Sequence, residues 1–229
     1  MIKAVFLDWS ETLARPEPDR QEAVHRAAQE SGVELPTPEL IRSIYKAESQ
    51  VPTGSPPRWV EGKDERPFIL WWEVLLSDIG VKPSKEVMLH MTRRLKHLSK
   101  NLTWALYDDS LPTLKALKNK GFVLGLITSM GKEMNILCKK SGIDTCLDFT
   151  ATLEEVDAGK PKPPIFLLAL ERAKVDPHEA VYVGDQYETD VLGARGVGIK
   201  PILTDRFDLM PEVSDCIRIR SLTELDRYL

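Results

Sequence analysis

The sequence predicts an α/β protein in which a Rossmann-like parallel sheet is flanked by helices and carries an inserted all-helical cap. Three observations lead to this fold class. Short apolar runs typical of buried strands alternate with helical patterns after about residue 105. Another such run occupies residues 2–7, whereas residues 15–104 show helical periodicity without strand signals. We therefore expect a discontinuous core, residues 1–14 with 105–229, and a helical cap, residues 15–104.

The cap is expected to contain four helices, at residues 18–31, 37–49, 67–79 and 84–99. The second begins with Thr37 followed by proline, a capping residue ahead of the first helical position. The last two helices carry apolar residues at spacings of three and four, which is typical of packing inside a helix bundle. Prolines and glycines interrupt residues 51–66 and predict a loop. We hypothesise that this loop, which contains Arg58, Trp59, Lys63 and Arg66, covers the functional site and contacts the substrate. The alternative is an ordinary surface loop of the cap.

The second part of the core is expected to alternate between strands and helices. Strands are predicted at residues 122–127, 147–151, 180–183, 198–203 and 216–219. Helices are predicted at residues 110–120, 131–141, 164–174 and 188–195, with a terminal helix opened by the capping box at Ser221. Such connections are right-handed crossovers between parallel strands, so ligands are expected at the carboxyl edge of the sheet.

Composition excludes several classes of protein. The 229 residues contain 35 acidic and 31 basic side chains, and this small acidic excess argues against a nucleic-acid partner. No apolar run approaches the roughly 18 residues that a membrane span requires. The three cysteines form no CxxC pair, and the first residues lack the pattern of an export signal. We therefore expect a cytoplasmic protein, either a monomer or a homodimer, without nucleic-acid or membrane partners.

Polar residues follow three of the predicted strands and precede one helix, and these are Asp8, Thr128, Ser129, Lys160, Asp185 and Asp190. Each one alone fits a cap, a turn or a solvated surface. If the strands are parallel neighbours, one edge of the sheet gathers three carboxylates, the hydroxyl of Thr128 and a lysine. Converging carboxylates repel each other unless a hard cation lies between them, and oxygen ligands suit Mg²⁺.

These segments resemble the four motifs of the haloacid dehalogenase superfamily, and they occur in the expected order. The motifs are Asp8-Trp9-Ser10-Glu11-Thr12, Thr128, Lys160-Pro161-Lys162-Pro163, and Gly184-Asp185 followed by Asp190. The similarity runs from about Tyr107 to Asp205, and the helical insertion matches the family's cap in placement. The resemblance implies a Mg²⁺-dependent hydrolase that acts as a phosphatase on a small phosphorylated metabolite.

The resemblance also implies a role for each matching residue. Asp8 is expected to be the nucleophile that forms an aspartyl-phosphate. Thr128, Ser129 and Lys160 are expected to bind the phosphoryl group, with Lys160 neutralising its charge. The implied Mg²⁺ ligands are the side chains of Asp8, Asp185 and Asp190, together with the backbone carbonyl of Ser10.

Two positions depart from the family pattern. Ser10 stands where most phosphatases of this family carry an aspartate that serves as general acid and base, a contribution worth roughly 10²–10⁴ in rate. Glu11 replaces a residue that is usually glycine, and it is also a candidate for the missing acid. The departure at Ser10 leaves three possibilities open. The substrate has a good leaving group that needs little protonation, or Glu11 or a residue of the cap supplies the proton. Alternatively, the chain is a weak or inactive phosphate- and metal-binding regulatory protein.

Two further activities of the superfamily are less favoured. A 2-haloacid dehalogenase works without Mg²⁺ and usually lacks paired metal aspartates, whereas Asp185 and Asp190 are both present here. A phosphonate hydrolase would use a cap lysine as a Schiff base. Lys46 and Lys63 lie in the expected cap, but no feature of the sequence singles out either residue.

Overall fold

The structure is a computed structural model that describes residues 1–51, 64–100, 102–131, 133–156 and 158–229. The chain divides into two compact units. The first, named here the core unit, combines Met1–Arg15 with Trp104–Leu229, and the second, the cap unit, is Pro16–Thr103. Within the described residues, no helix combines the length and apolar character that crossing a membrane requires.

The described strands are β1 Ala4–Leu7, β2 Ala14–Glu17, β3 Thr103–Leu106, β4 Val123–Thr128, β5 Phe149–Thr152, β6 Ala180–Gly184, β7 Lys200–Thr204 and β8 Ile217–Ile219. The described α-helices are α1 Arg20–Gln29, α2 Thr37–Gln50, α3 Arg66–Asp78, α4 Lys85–Ser99, α5 Ser110–Asn119, α6 Glu133–Ser141, α7 Pro163–Ala173 and α8 Leu192–Gly196. Single turns of other helix types separate some of these elements.

Six strands of the core unit form a sheet in the order β5-β4-β1-β6-β7-β8. Every neighbouring pair is parallel, so the carboxyl ends of all six strands lie along one edge. In the centre, Leu7 lies opposite Leu126 on one side and Val183 on the other. The parallel α/β fold predicted from the sequence is confirmed.

Side chains of the central strands alternate between two hydrophobic layers, as the period of a strand requires. On one face, Val5 and Leu7 pack in a cluster with apolar residues of α5 and α6. On the other face, Phe6 and Tyr182 pack in a cluster with Phe166 of α7. Because both faces are covered, the central strands β1, β4 and β6 are buried along almost their whole length, as parallel strands usually are.

The cap unit has its own apolar core, formed by residues of α1, α2, α3 and α4. Trp71 and Trp72 of α3 are fully buried in it, as their position on the apolar stripe predicts. A partly buried ion pair joins α1 to α2, since Arg20 Nη1 lies 2.6 Å from Glu48 Oε2. Of the predicted loop 51–66, Arg58, Trp59 and Lys63 lie outside the described residues.

The structure corrects three expectations about local structure. Strands β2 and β3 form a two-stranded sheet where only helical signals were expected, because neither strand contains the run of four apolar residues that marks β1. The predicted helix 188–195 begins as a π-helical turn, Tyr187–Val191, before α8. The terminal helix is a 3₁₀-helix, Leu222–Arg227, although its capping box is present.

Candidate active site

The candidate site begins at the ends of three adjacent strands. Asp8 follows β1 directly, Thr128 is the last residue of β4, and Asp185 follows β6 directly. Since β1 lies between β4 and β6 and all three run parallel, their last residues meet at the same edge. Topology alone therefore brings together three residues that are between 57 and 177 positions apart in the sequence.

Three carboxylates converge at this edge. Asp8, Asp185 and Asp190 each contribute one oxygen, and these oxygens lie within 4.8 Å of one another. All three residues are buried, with 6%, 3% and 1% of their surface exposed. Buried carboxylates are costly unless paired or bound to a metal, and a set of oxygen donors suits a hard cation such as Mg²⁺. The residues present therefore fit a magnesium site.

Lys160 supplies the positive charge of the cluster. It lies in the loop that leads into α7, and its Nζ is 2.7 Å from Asp8 Oδ1 and 2.7 Å from Asp190 Oδ1. Burial acts to lower the pKa of Lys160, but the charges of Asp190 and Asp8 outweigh burial and hold it above its ordinary value. The ammonium group therefore stays protonated beside the carboxylates.

The charge state of Asp8 is set by opposing effects. Burial raises its pKa, the nearby Lys160 lowers it, and the charge of Asp190 raises it again, to about 6. At neutral pH Asp8 is therefore mostly ionised, as a nucleophilic carboxylate has to be. A cation placed among the carboxylates would favour the ionised form further.

Asp190 is held by the π-helical turn that sequence periodicity did not show. The backbone N–H groups of Asp190 and Val191 both donate to the carbonyl of Gln186, at 2.8 and 3.3 Å. Asp190 Oδ2 in turn accepts a hydrogen bond from Gln186 N at 2.9 Å. A Cβ at Gly184 would lie only 2.4 Å from Asp190 Cγ, so this arrangement requires glycine there.

Tyr182 is a member of the site that sequence reasoning missed. Its hydroxyl donates to Asp190 Oδ1 at 2.9 Å and accepts from Lys160 Nζ at 2.9 Å. Burial, followed by the charge of Asp190, holds the pKa of Tyr182 well above its ordinary value, so the hydroxyl keeps its proton. The signal was present in the sequence, because a tyrosine inside a buried strand has to find a partner for its hydroxyl.

Thr128 and Ser129 follow β4 on the same edge. Thr128 is buried, and its Oγ1 accepts a hydrogen bond from Met130 N at 3.1 Å, which leaves the hydroxyl proton available to another acceptor. Ser129 is half-buried. A Cβ on Gly159 would lie 3.3 Å from Ser129 Oγ, so Ser129 lies beside the residue that precedes Lys160.

The turn after Asp8 contains both departures from the family pattern. Ser10 is half-buried and pairs with Ala14 in an isolated β-bridge. Glu11 has a φ of 56°, in the left-handed region that glycine adopts most easily. Its carboxylate accepts a hydrogen bond from the Tyr107 hydroxyl at 2.5 Å. The carboxyl group of Glu11, which is the nearest one in sequence to Ser10, is therefore buried and hydrogen-bonded to Tyr107.

The fold and this group of residues define a class of α/β hydrolases with a helical insertion. The model of the haloacid dehalogenase-like hydrolases matches residues 2–198, and the chain belongs to this family. The predicted family, a family of hydrolases, is thereby confirmed. The specific roles of Asp8, Ser10, Thr128, Ser129, Lys160, Asp185 and Asp190 stay predictions.

Individual relatives match most of the chain. Glyceraldehyde 3-phosphate phosphatase of Methanopyrus kandleri is 33% identical over 207 residues, covering 87% of this chain and 82% of the relative. Haloacid dehalogenase-like hydrolase domain-containing protein 3 of Danio rerio is 29% identical over 220 residues, covering 90% and 86%. The crystal structure of a phosphatase of this family from Thermococcus onnurineus is similar with a TM-score of 0.59 and 25% identity, covering 99% of this chain and 97% of that chain.

Proposed function

We propose that this chain is a Mg²⁺-dependent phosphatase that hydrolyses a small phosphorylated metabolite through an aspartyl-phosphate on Asp8. The observation that carries this proposal is the contact of Lys160 with Asp8 inside a buried cluster of three aspartates. A lysine so placed can offset the charge of both a carboxylate nucleophile and an incoming phosphate. A relative named glyceraldehyde 3-phosphate phosphatase supports a small phosphorylated substrate.

In the first step, an oxygen of Asp8 attacks the phosphorus atom, and the bond from phosphorus to the leaving oxygen breaks. Lys160 and Thr128 donate hydrogen bonds to the phosphoryl oxygens during this transfer. In the second step, water attacks the same phosphorus, which releases orthophosphate and restores the Asp8 carboxylate. The leaving oxygen takes up a proton in the first step, and the attacking water loses one in the second.

Asp8, Asp185, Asp190 and the carbonyl of Ser10 would hold Mg²⁺. When bound, this ion neutralises the carboxylates and offsets the negative charge of the phosphoryl group. Lys160 keeps Asp8 and Asp190 at fixed separation, because its Nζ contacts both side chains at 2.7 Å. Burial of the cluster excludes bulk water, which strengthens these interactions.

The experiment is a panel of phosphate esters and acyl phosphates, assayed with Mg²⁺ and with a chelator. Turnover is expected only with Mg²⁺, and Asp8→Asn is expected to abolish it because an amide cannot replace the nucleophile. Asp226→Asn is a matched control on the surface, where Asp226 lies 2.7 Å from Lys120 in an exposed ion pair. Hydrolysis that persists in Asp8→Asn would contradict the proposal.

Ser10 favours one second candidate, a binding protein that keeps the phosphate and metal pocket but turns over little or no substrate. The two candidates differ in what Ser10→Asp does. In an enzyme, the new carboxyl group supplies the missing acid, and turnover of esters with poor leaving groups should rise by roughly 10²-fold. Ser10→Asn introduces a side chain of the same size as aspartate but without an ionisable group, so turnover should not rise. Retained Mg²⁺ binding without turnover in the wild type and both variants would favour the binding protein.

A further inference from the structure

The ammonium group of Lys160 has three N–H bonds, and each of them has an acceptor. Its Nζ lies 2.7 Å from Asp8 Oδ1, 2.7 Å from Asp190 Oδ1 and 2.9 Å from the hydroxyl oxygen of Tyr182. The lysine side chain is 6% exposed, so bulk water has little access to it. All three N–H groups of Lys160 therefore donate hydrogen bonds to other groups of the chain.

The proposed function requires Lys160 to donate to a phosphoryl oxygen as well. One of the three acceptors then has to give way. Two of them are carboxylates, whose negative charge attracts the ammonium group of Lys160 directly, an attraction that a neutral acceptor lacks. The phenol oxygen of Tyr182 is the neutral acceptor, and a phosphoryl oxygen that carries negative charge competes with it best.

We propose that Tyr182 is a positioning residue whose hydroxyl occupies the third N–H of Lys160 until a phosphoryl oxygen takes its place, an inference that rests on the proposed phosphatase function. The ring stays in place during this exchange, since it packs edge-on against Phe166 with the ring centroids 5.2 Å apart. The hydroxyl also keeps its own donation to Asp190 Oδ1. Tyr182 thus orients the lysine and the aspartate without contacting the reacting atoms.

Tyr182→Phe distinguishes this role from a merely structural one, because the two roles predict different changes in the affinity for phosphate. Phenylalanine keeps the packing against Phe166 but leaves one buried N–H of Lys160 without its acceptor in the free protein. That penalty disappears when a phosphoryl oxygen arrives, so the variant should bind phosphate more tightly. The expected dissociation constant for inorganic orthophosphate is about 3- to 10-fold lower than that of the wild type. A structural role would leave the affinity unchanged or weaken it.

The experiment titrates orthophosphate into the full chain by calorimetry in the presence of Mg²⁺. The control is Tyr228→Phe, which removes the hydroxyl of a half-buried tyrosine near the C-terminus. Tighter binding in Tyr182→Phe, with unchanged binding in Tyr228→Phe and one cooperative thermal unfolding transition in both, supports the inference. Unchanged or weaker binding in a folded Tyr182→Phe overturns it and leaves the proposed function intact.

A second measurement needs no substitution at the site. The wild-type chain contains five tyrosines, which can be labelled with fluorotyrosine and followed by ¹⁹F NMR. Saturation with orthophosphate should shift a tyrosine resonance, since the Tyr182 hydroxyl no longer accepts a hydrogen bond from Lys160 Nζ. A spectrum that does not change at saturation overturns the inference. A wild type that binds no orthophosphate and hydrolyses no ester overturns the proposed function and this inference together.

Discussion

Gly184 and Asp190 depend on each other at the scale of single residues. A Cβ on Gly184 would lie 2.4–2.5 Å from Asp190 Cγ, Cβ and Oδ2. Gly184→Ala is therefore expected to displace the Asp190 carboxylate from Lys160. A displacement of about 1 Å can reduce turnover by roughly 10²-fold, and crowding of a packed site lowers the free energy of unfolding by about 1–3 kcal/mol. Steady-state kinetics and urea denaturation measure the two effects.

Gly196→Ala provides the matched control for this substitution. A Cβ at Gly196 meets no heavy atom within 4 Å, so alanine should fit without displacement. Turnover and the free energy of unfolding should stay close to the wild-type values. Wild-type turnover in Gly184→Ala would show that Asp190 does not need its present position.

Asp109 connects three elements of the core unit at the start of α5. Its carboxylate accepts hydrogen bonds from Arg206 Nη1 and Nη2 at 3.0 and 2.9 Å, in the segment after β7. It also accepts from Ser221 Oγ at 2.7 Å and Leu222 N at 2.9 Å, where the terminal 3₁₀-helix begins. Burial alone would raise the pKa of Asp109, but Arg206 and Ser221 hold it below its ordinary value.

Asp109→Asn should therefore destabilise the fold in a pH-dependent way. A carboxyl whose pKa is lowered on folding stabilises the folded state above its unfolded pKa, near 3.8, and loses this effect as pH falls through the folded value. At pH 7 the variant is expected to lose about 2 kcal/mol in the free energy of unfolding, because Arg206 keeps a half-buried charge without its partner. Urea denaturation at pH 7 and pH 3 should show the difference from wild type shrinking at the lower pH.

Asp226→Asn serves as the control for a carboxylate in an exposed ion pair. Asp226 and Lys120 are 55% and 50% exposed, and such pairs contribute about 0–1 kcal/mol. The variant should therefore match the wild type closely at both pH values. A difference between Asp109→Asn and wild type that stays constant from pH 7 to pH 3 would contradict the assigned role of Asp109.

At the scale of the whole molecule, cation binding should appear as thermal stability. A ligand that binds only the folded state stabilises it by about 2.7 kcal/mol at a hundred times its dissociation constant. Mg²⁺ is therefore expected to raise the unfolding temperature of the full chain, and a chelator should reverse the increase. Asp185→Asn removes one ligand charge and should abolish most of the shift. An equally large rise in the unfolding temperature of Asp185→Asn would show that the cation binds elsewhere.

Sequence reasoning anticipated the parallel sheet because buried strands and their crossover helices leave long, repeated patterns. It also placed Asp8, Thr128 and Asp185 correctly at strand ends, since the edge of a parallel sheet follows from strand order. It missed Tyr182, because a period of two does not reveal where a hydroxyl points. It missed the π-helical turn for a different reason, since its hydrogen bonds to Gln186 leave no mark on residue spacing.

The position of β1 at the centre of the sheet has a consequence for the order of events during synthesis. Ala4 pairs with Val123 and Ala180, so its strand is translated 119 residues before one neighbour and 176 before the other. At about 5–20 residues per second, the first partner follows after roughly 6–24 s. The contiguous segment Pro16–Thr103 is complete before then. The cap unit can therefore fold on the ribosome before β4 and β6, the two strands that pair with β1, have been synthesised.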